Sequence, residues 1–541
     1  MTHFNFIEKI IEKDIKDGFP LEKIKFRFPP EPNGYLHIGH VKAICLNFEL
    51  GRKYKAPVYL RFDDTNPTVE NEKYVKSIKK DLLFLGFRWN KESYASDYFQ
   101  NLYEWAIKLI KKGFAYIDTQ SKYDIKFQRK DSFESGINSI NRKRSINENL
   151  DLFEKMKNGF FREGTCVLRA KIDMSSPNIN MRDPIMYRIL YKTHHKTGSK
   201  WCIYPTYDWT HGQCDYIEQI SHSLCSLEFE NKRPLYNWFL EKINLNTSKI
   251  RPKQIEFSRL NISNTVTSKR KIQYLIKKNI IYSWDDPRIL TICGLKKRGY
   301  PSIALKDFIH KIGITKRNSM IDISLLEYWG RKHLNKISTR VMVVLNPVKI
   351  IIDNYCSNKI EWIKLKNNPE DKHSGIRNVP FSKNIYIEES DFLEEKKDNF
   401  FRLFIGNKVR LKGSYVIEAK YVVKNEKGKI KEIHCNYFSK TESIKKIRST
   451  LHWVSIPHIF PIKINIYKTL FLKKKNNKLL DEYEINPNSK KTIIGYAEPF
   501  LKKVKKGDYL QFQRIGYFCV EEVHNGKIIL NKTLSIKNKW E

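Results

Sequence analysis

No stretch of this 541-residue chain comes near the roughly twenty consecutive apolar residues that a membrane-spanning helix needs. The N-terminal segment "MTHFNFIEKIIEKDIKDGF" has neither the basic start nor the apolar core of a signal peptide. It reads as a short amphipathic helix with acids throughout, and the chain is expected to be cytoplasmic. Cysteine is sparse: nine are scattered from Cys45 to Cys519, an odd number with no CxxC pair. Neither a disulfide framework nor a zinc site is signalled, which leaves reduced thiols. No repeat of fixed period is present. Acid is the charge in short supply, 59 Asp and Glu against 100 Lys and Arg. The net charge of +41 suits a polyanionic partner. Lysine, isoleucine and asparagine are abundant even in loops such as "LKKKNNKLL", so drift toward A/T-rich codons accounts for the excess equally well.

What is present is ordered. "IKFRF" (24–28) reads as a strand entering a Pro/Asn-Gly turn, and "HIGHVKAICLNFELGRKY" as the helix after it. A second strand, "PVYLRFDD" (57–64), precedes a second helix, "NEKYVKSIKKDLLFLGF" (71–87). Strand and helix alternating at this spacing predict a parallel sheet with its chemistry at the strands' C-terminal ends. Residues 100–209 are more mixed and read as an insertion, with strands "CVLRAKIDM" (166–174) and "PIMYRILY" (184–191). The α/β pattern resumes over 210–261, and 262–338 read as mainly helical. From 339 to 541 short alternating strands follow at regular intervals, as in antiparallel barrels or sandwiches.

The densest backbone control lies in "PPEPNGYLHIGH" (29–40). With the helix starting near Leu36, His37 and His40 fall on one face of its first turn. Helix N-termini offer N–H groups and a partial positive charge that suit phosphate. Gly39 lets a ligand approach the backbone closely. Two imidazole donors there would hold phosphates and stabilise charge developing on phosphorus; a pair of ordinary helix-start histidines is the alternative. Far downstream, "TVTSKRK" (265–271) carries Ser268, Lys269 and Arg270 in a small polar loop, where a lysine acts as a point charge on pyrophosphate or is one lysine among many.

A strand, "HIGH" and a helix near the N-terminus, with an "SK" loop about 230 residues later, resemble the paired signatures of class I aminoacyl-tRNA synthetases. "RFPPEPNGYLHIGHVKAICLNF", "LRFDDTNP", "YDWTH", "SHSLCSLEFEN", "FSRLN", "SWDDPR" with "GLKKRGY", and "LHWVSIPH" resemble, in order, the blocks of the glutaminyl-tRNA synthetase family. The resemblance covers nearly the whole chain and is weakest around 128–145 and 470–492. It implies an α/β fold: a Rossmann-type parallel-sheet catalytic domain (1–99 and 210–261), an acceptor-stem-binding insertion (100–209), a signature loop and helical connector (262–338), and two C-terminal antiparallel β-barrels that read the anticodon (339–541).

The resemblance further implies ATP as co-substrate, Mg²⁺ with the ATP and no dedicated protein metal site. Its partners are L-glutamine and tRNA(Gln); no membrane is involved, and a monomer is expected. His37, His40 and Lys269 match the family's catalytic residues. Glu31, Pro32, Asn33, His37, Gly39, His40, Arg259, Leu260, Val266, Thr267, Ser268 and Lys269 match its ATP-binding positions. Arg27, Asp63, Tyr207 and His211 match the glutamine pocket, with Asp63 facing the substrate ammonium and Tyr207 bordering its amide. Asn231, Arg340, Asn399, Arg402, Gln511 and Arg514 match tRNA-facing positions. Departures are Thr267 for the usual Met, Asn231 for Asp, Asn399 for Gln, "SINRKR" (139–144) for "SPYRDR", and "THGQCD" (210–215) for "THCxxD". Two variants of the reading are an enzyme that also charges glutamate and a non-catalytic tRNA-binding derivative, although such derivatives lose the histidine pair, the pocket acid or the lysine loop. A general RNA chaperone would explain the charge but not the ordered motifs.

Overall fold

The computed structural model describes residues 4–131, 133–243, 249–263, 265, 268–438, 447, 449–472 and 484–537. It divides into two compact units, residues 1–262 with 309–321, and residues 263–308 with 322–541.

The first unit opens with α1 (Phe6–Lys16), whose start is closed by a reciprocal cap: Asn5 accepts from the Ile7 and Glu8 amides while Glu8 accepts from the Asn5 amide. Then come β1 (Phe26–Phe28), α2 (Ile38–Lys53), β2 (Val58–Phe62), α3 (Glu72–Phe84) and β3 (Lys91–Tyr94). The three strands pair in parallel in the order β1-β2-β3, with Arg27 opposite Tyr59 and Arg61 opposite Ser93. Leu60 and Phe62 are fully buried, each contributing about 1.5–3 kcal/mol of apolar burial.

The insertion follows as α4 (Phe99–Lys111), β4 (Ala115–Asp118), α5 (Lys122–Arg129), α6 (Ile146–Lys157), β5 (Val167–Ala170), β6 (Ile185–Ile189) and β7 (Ile203–Pro205). Its four strands form an antiparallel sheet in chain order. Leu102, Ala106, Leu109 and Ile110, at helical spacing, turn one face of α4 into a core shared with Ile117, Leu168, Met186 and Ile203. The parallel pattern resumes with α7 (Tyr207–Ile217), β8 (His222–Ser226), α8 (Arg233–Lys242), β9 (Lys253–Phe257) and β10 (Leu260–Ile262). β8 and β9 pair in parallel, and the Ser221 amide donates to the Lys25 carbonyl just ahead of β1. β10 pairs in parallel with β11 (Ser319–Ile321), so residues well beyond the signature loop return to complete this unit.

In the second unit, α9 (Lys269–Lys277) and a helix over Ile323–Ile337 accompany two seven-stranded sheets. One runs Thr339–Val341, Tyr509–Phe512, Gly516–His524, Lys527–Ser535, Phe460–Tyr467, Lys490–Ala497, Val343–Val344. The other runs Thr450–Leu451, Lys408–Leu411, Val416–Lys424, Ile430–Phe438, Pro347–Ile352, Asn384–Glu388, Val454–Ser455. In each, the two outermost strands are consecutive pieces of chain, 339–341 with 343–344 and 450–451 with 454–455. Both sheets therefore curl until their edges nearly meet, which hides strand edges that would otherwise recruit partners. As the sequence predicted, the sheets are antiparallel barrel-like layers, each with two parallel pairs, such as Ile350 opposite Ile433, where the chain crosses over before it rejoins the sheet.

Candidate active site

The helix expected near Leu36 begins at Ile38, with His37 as its N-cap. The His37 ring accepts from the Gly39 amide through Nδ1 at 3.1 Å, and the His40 ring accepts from the His37 amide through its own Nδ1 at 3.1 Å. The two histidines thus form a reciprocal cap of the kind Ser and Glu usually make. In a neutral imidazole whose Nδ1 accepts, Nε2 carries the proton. Capping therefore fixes both tautomers and makes Nε2–H of each ring the donor opposite the cap. The rings lie 4.0 Å apart, centre to centre. A Cβ at Gly39 would stand 2.8 Å from His37 Cε1, so the missing side chain leaves room for the His37 ring. Lys42 Nζ, one turn along, donates to the carbonyl and hydroxyl of Ser258, and burial pushes the ammonium down to about 8.

The turn carrying Glu31, Pro32 and Asn33 is pinned to the next strand–helix loop. The Asp63 amide donates to the Pro30 carbonyl and the Asn71 amide to the Pro32 carbonyl. Asn33 Nδ2 donates to the exposed Glu31 carboxylate.

Beneath this turn lies a buried charge cluster. Arg27, from β1, sends Nε to Asp215 at 3.0 Å, Nη1 to the Leu224 carbonyl, and Nη2 to Ser223 Oγ and His211 Nε2. Arg61, from β2, reaches Asp63 at 2.9 Å, Asp215 at 2.8 Å and Glu218 at 3.1 Å. Both guanidiniums and the Asp215 carboxylate are wholly buried. A guanidinium only donates, so His211 Nε2 accepts from Arg27, and Arg61 Nη2 stands 3.5 Å from His211 Nδ1 on the other side of the ring. Two cations then face three carboxylates, leaving one negative charge in excess. Among the described residues, Asp63 Oδ2 is buried without a hydrogen-bond partner, with His211 Nδ1 3.5 Å away.

Burial alone would raise the pKa of Asp63, but Arg61 beside it wins and holds the carboxyl below its usual range. Asp215 is likewise depressed, against burial, by Arg27 and Arg61. Tyr207, half-buried at the start of α7, stacks on the His211 ring with centroids 4.8 Å apart. Burial first, then the Asp63 charge, hold its phenol well above the ordinary range, so it stays a neutral hydroxyl. Lys232, the cation lining the small cavity beside Tyr207, is taken by Asp208 at 2.8 Å.

The structure brings Arg27, Asp63, Tyr207 and His211 into one constellation. Leu260, on β10, lies alongside α2, its carbonyl 4.0 Å from where a Gly39 Cβ would stand. Arg259 is exposed and pairs with Glu228 at 2.8 Å. Asn231 is exposed, and its carbonyl accepts from Asn178 and Asn180 of the insertion. Ser268 is the N-cap of α9 and Lys269 its first residue, both in the second unit; Val266 and Thr267 lie outside the described residues. Arg340 and Gln511 are register partners on adjacent strands; Arg340 Nε and Gln511 Oε1 are both buried without a hydrogen-bond partner. Asn399 is exposed, and Arg402 and Arg514 meet on one carboxylate, Asp391.

Sequence reasoning missed Arg61, Asp215, Glu218 and Asp391. A basic residue inside the apolar strand "YLRF", two before Asp63 and therefore on the same face, was the available signal for Arg61. His211 and Asp215, four apart on a helix, were the signal for Asp215. Among the described residues, Asp64, His194 and His195 are the one group with three metal-donor atoms in reach. Asp64 and His194 are engaged, since Ser96 takes both Asp64 oxygens and His194 donates to the Asp64 carbonyl while accepting from the Lys196 and Thr197 amides. His195 Nε2, 3.2 Å from Asp64 Oδ2, is by contrast buried without a hydrogen-bond partner among the described residues.

A parallel-sheet α/β enzyme is defined by these features, with paired imidazole donors at a helix start and, deeper in, a buried pocket that lacks one positive charge. Comparison with known proteins narrows the class. Residues 23–336 match the family described as tRNA synthetases class I (E and Q), catalytic domain, and residues 338–438 and 450–521 match two anti-codon binding domains of that family. The chain belongs to this family. It is 45% identical over 547 aligned residues to the glutamine–tRNA ligase of Clostridium kluyveri, covering 99% of this chain and 98% of that protein. It is 46% identical over 549 residues to that of Clostridioides difficile and 47% over 553 to that of Buchnera aphidicola, with the same coverage in each case.

Proposed function

We propose that this chain is a glutamine–tRNA ligase acting in the cytoplasm as a monomer. It activates glutamine with ATP to glutaminyl-adenylate, releasing pyrophosphate, and passes the glutaminyl group to the 2′-hydroxyl of the terminal adenosine of tRNA(Gln). Similarity over 99% of the chain to proteins named glutamine–tRNA ligase supports the assignment. The observation that carries it is the pocket: an unsatisfied buried carboxylate oxygen on Asp63 suits an α-ammonium, and a neutral Tyr207 hydroxyl suits an amide rather than a carboxylate.

The chemistry asks for no protein base, because the glutamine carboxylate is itself the nucleophile. His37 and His40 present Nε2–H donors to ATP phosphates, with Glu31, Pro32, Asn33, Gly39, Arg259 and Leu260 around the nucleotide and residues 266–268 in the signature loop. Mg²⁺ arrives with the phosphates. Lys269, a cation at the start of α9, is assigned to the pyrophosphate. Arg27, wholly buried, acts by fixing Asp215 and the His211 ring. The 100–209 insertion with Asn231 takes the acceptor end, and Arg340, Asn399, Arg402, Gln511 and Arg514 take the anticodon.

The test is ATP–pyrophosphate exchange with glutamine or glutamate, each with and without tRNA. Exchange that needs glutamine and tRNA together supports the reading. Silence in every arm refutes it, and equal exchange with glutamate refutes the specificity.

A further inference from the structure

Asp391 closes a short helical turn (Glu389–Asp391) after the strand Asn384–Glu388, and its side chain is 1% exposed. Two arginines converge on it, one from the loop ahead of the strand Lys408–Leu411 and one from a hairpin turn of the other sheet. Arg514, in the hairpin between Tyr509–Phe512 and Gly516–His524, grips it with both terminal nitrogens, Nη1 to Oδ2 and Nη2 to Oδ1, each 2.6 Å. Arg402 places Nη1 at 2.8 Å from the same Oδ1 and donates to the Ser390 carbonyl at 2.9 Å. The Leu403 amide donates to the Asp391 carbonyl, which closes the loop between them. The arginine side chains stay partly open to solvent, 42% for Arg402 and 32% for Arg514. Arg514 also holds φ at +66°, a left-handed conformation that L side chains rarely adopt.

We propose that Asp391 is a positioning residue that couples Arg402 and Arg514 into a single reader of unstacked RNA nucleotides; this rests on the assignment of both arginines to the anticodon. Two guanidiniums on one buried carboxylate leave a net positive charge at the surface. Each has five N–H donors, and Asp391 engages two nitrogens of one and one of the other. A free arginine must surrender rotamer freedom on binding, whereas arginines tied at their tips have already done so. Because the two share an oxygen, moving one guanidinium alters the seat of the other. The strained Arg514 backbone is held in place by the same bidentate grip.

The experiment is aminoacylation by the full-length enzyme with tRNA(Gln) and with a transcript carrying one substituted anticodon base. Asp391→Asn, Arg402→Ala, Arg514→Ala and the Asp391→Asn/Arg402→Ala pair are compared. Asp391→Asn is expected to lower discrimination between the transcripts about tenfold, through KM for cognate tRNA with kcat unchanged. Adding Arg402→Ala should then cost less than the product of the single effects. Glu498→Gln is the control: it breaks another buried pair in this unit, with Arg377, and should lower the unfolding midpoint while leaving discrimination intact. If Asp391→Asn does not fold, Asp391→Glu, which keeps the charge but moves it by one methylene, must still show reduced discrimination. Equal losses on both transcripts would reduce Asp391 to a structural residue and overturn the proposal. Loss of discrimination in the arginine variants but not in Asp391→Asn refutes the coupling alone. Full discrimination in the arginine variants refutes the anticodon assignment and the coupling with it.

Discussion

Replacing Asp63 and Asp215 by asparagine, one at a time, separates charge that serves the fold from charge that waits for substrate. Asp215 accepts five hydrogen bonds from four side chains: Arg27 Nε at 3.0 Å and Nη2 at 3.4 Å, Arg61 Nη1 at 2.8 Å, Ser223 Oγ at 2.7 Å and the Tyr236 hydroxyl at 3.0 Å. An amide there keeps one oxygen and points N–H groups at the donors of the other. With Asp215 neutral, two buried arginines share the remaining acids, and breaking such a buried pairing costs about 3–5 kcal/mol. That is a fall of roughly 10 °C in the unfolding midpoint of the first unit. Asp63 is the reverse case. It receives one strong donor, Arg61 at 2.9 Å, on Oδ1, and an asparagine oxygen can still accept it. Arg61 holds Asp63 below its usual pKa, so removing the charge costs some stability, but less than in Asp215→Asn because only one strong donor loses a charged partner. Function should not hold: losing a charge-assisted contact to the substrate ammonium, about 1.5–3 kcal/mol, lowers kcat/KM for glutamine by roughly 10- to 100-fold. Calorimetry on both variants, with exchange kinetics on Asp63→Asn, gives the comparison. If Asp63→Asn melts as early as Asp215→Asn, the argument from excess charge is wrong.

His37→Asn keeps an N-cap acceptor but removes the ring, so the unfolding midpoint should stay within about 2 °C while exchange falls about 100-fold; a matching loss of stability would make the histidine only a cap. Glu70 is pushed up to about 9, by burial first and then by Asp64. Its folded pKa exceeds the unfolded value, so the folded state holds the extra proton between about pH 4.5 and 9, and stability falls as pH rises through that window. Glu70→Gln should therefore raise the midpoint at pH 8 by about 3 °C or more and do little at pH 4.5; an equal effect at both would contradict it. The affinity for tRNA should fall steeply with salt, about tenfold or more across a fourfold range, and a flat response would remove electrostatics from the account.

Elements were legible where one segment carries its own pattern. The strand at 58–62 and the helix at 72–84 followed from apolar spacing, as did the change to alternating strands after 339. What escaped depended on partners distant in sequence. Arg27 and Asp215 are 188 residues apart and Arg514 and Asp391 are 123 apart, so beyond the His211–Asp215 spacing nothing local pairs either carboxylate with its arginines. The order of strands in the two curled sheets was hidden for the same reason, since each sheet is closed by consecutive short strands that look unremarkable in sequence. The helix start was misplaced by two residues because histidine is a rare cap, and the box closes only when two histidines stand three apart.

The "THGQCD" departure shows how local and distant signals meet. Gly212 sits inside α7, where glycine costs about 1 kcal/mol relative to alanine. A Cβ at that position would stand 3.0 Å from two carbons of the Tyr236 ring, tighter than ordinary packing allows. Tyr236 in turn donates its hydroxyl to Asp215, the acid that both buried arginines share. Residue 212 therefore touches the charge cluster without carrying charge. The glycine gives Tyr236 room to lie flat against α7, and a larger residue has to move the ring that helps to hold Asp215. A departure that reads in sequence as one helix residue in a glutamine pocket is, in three dimensions, a choice about how closely the second layer packs beneath it.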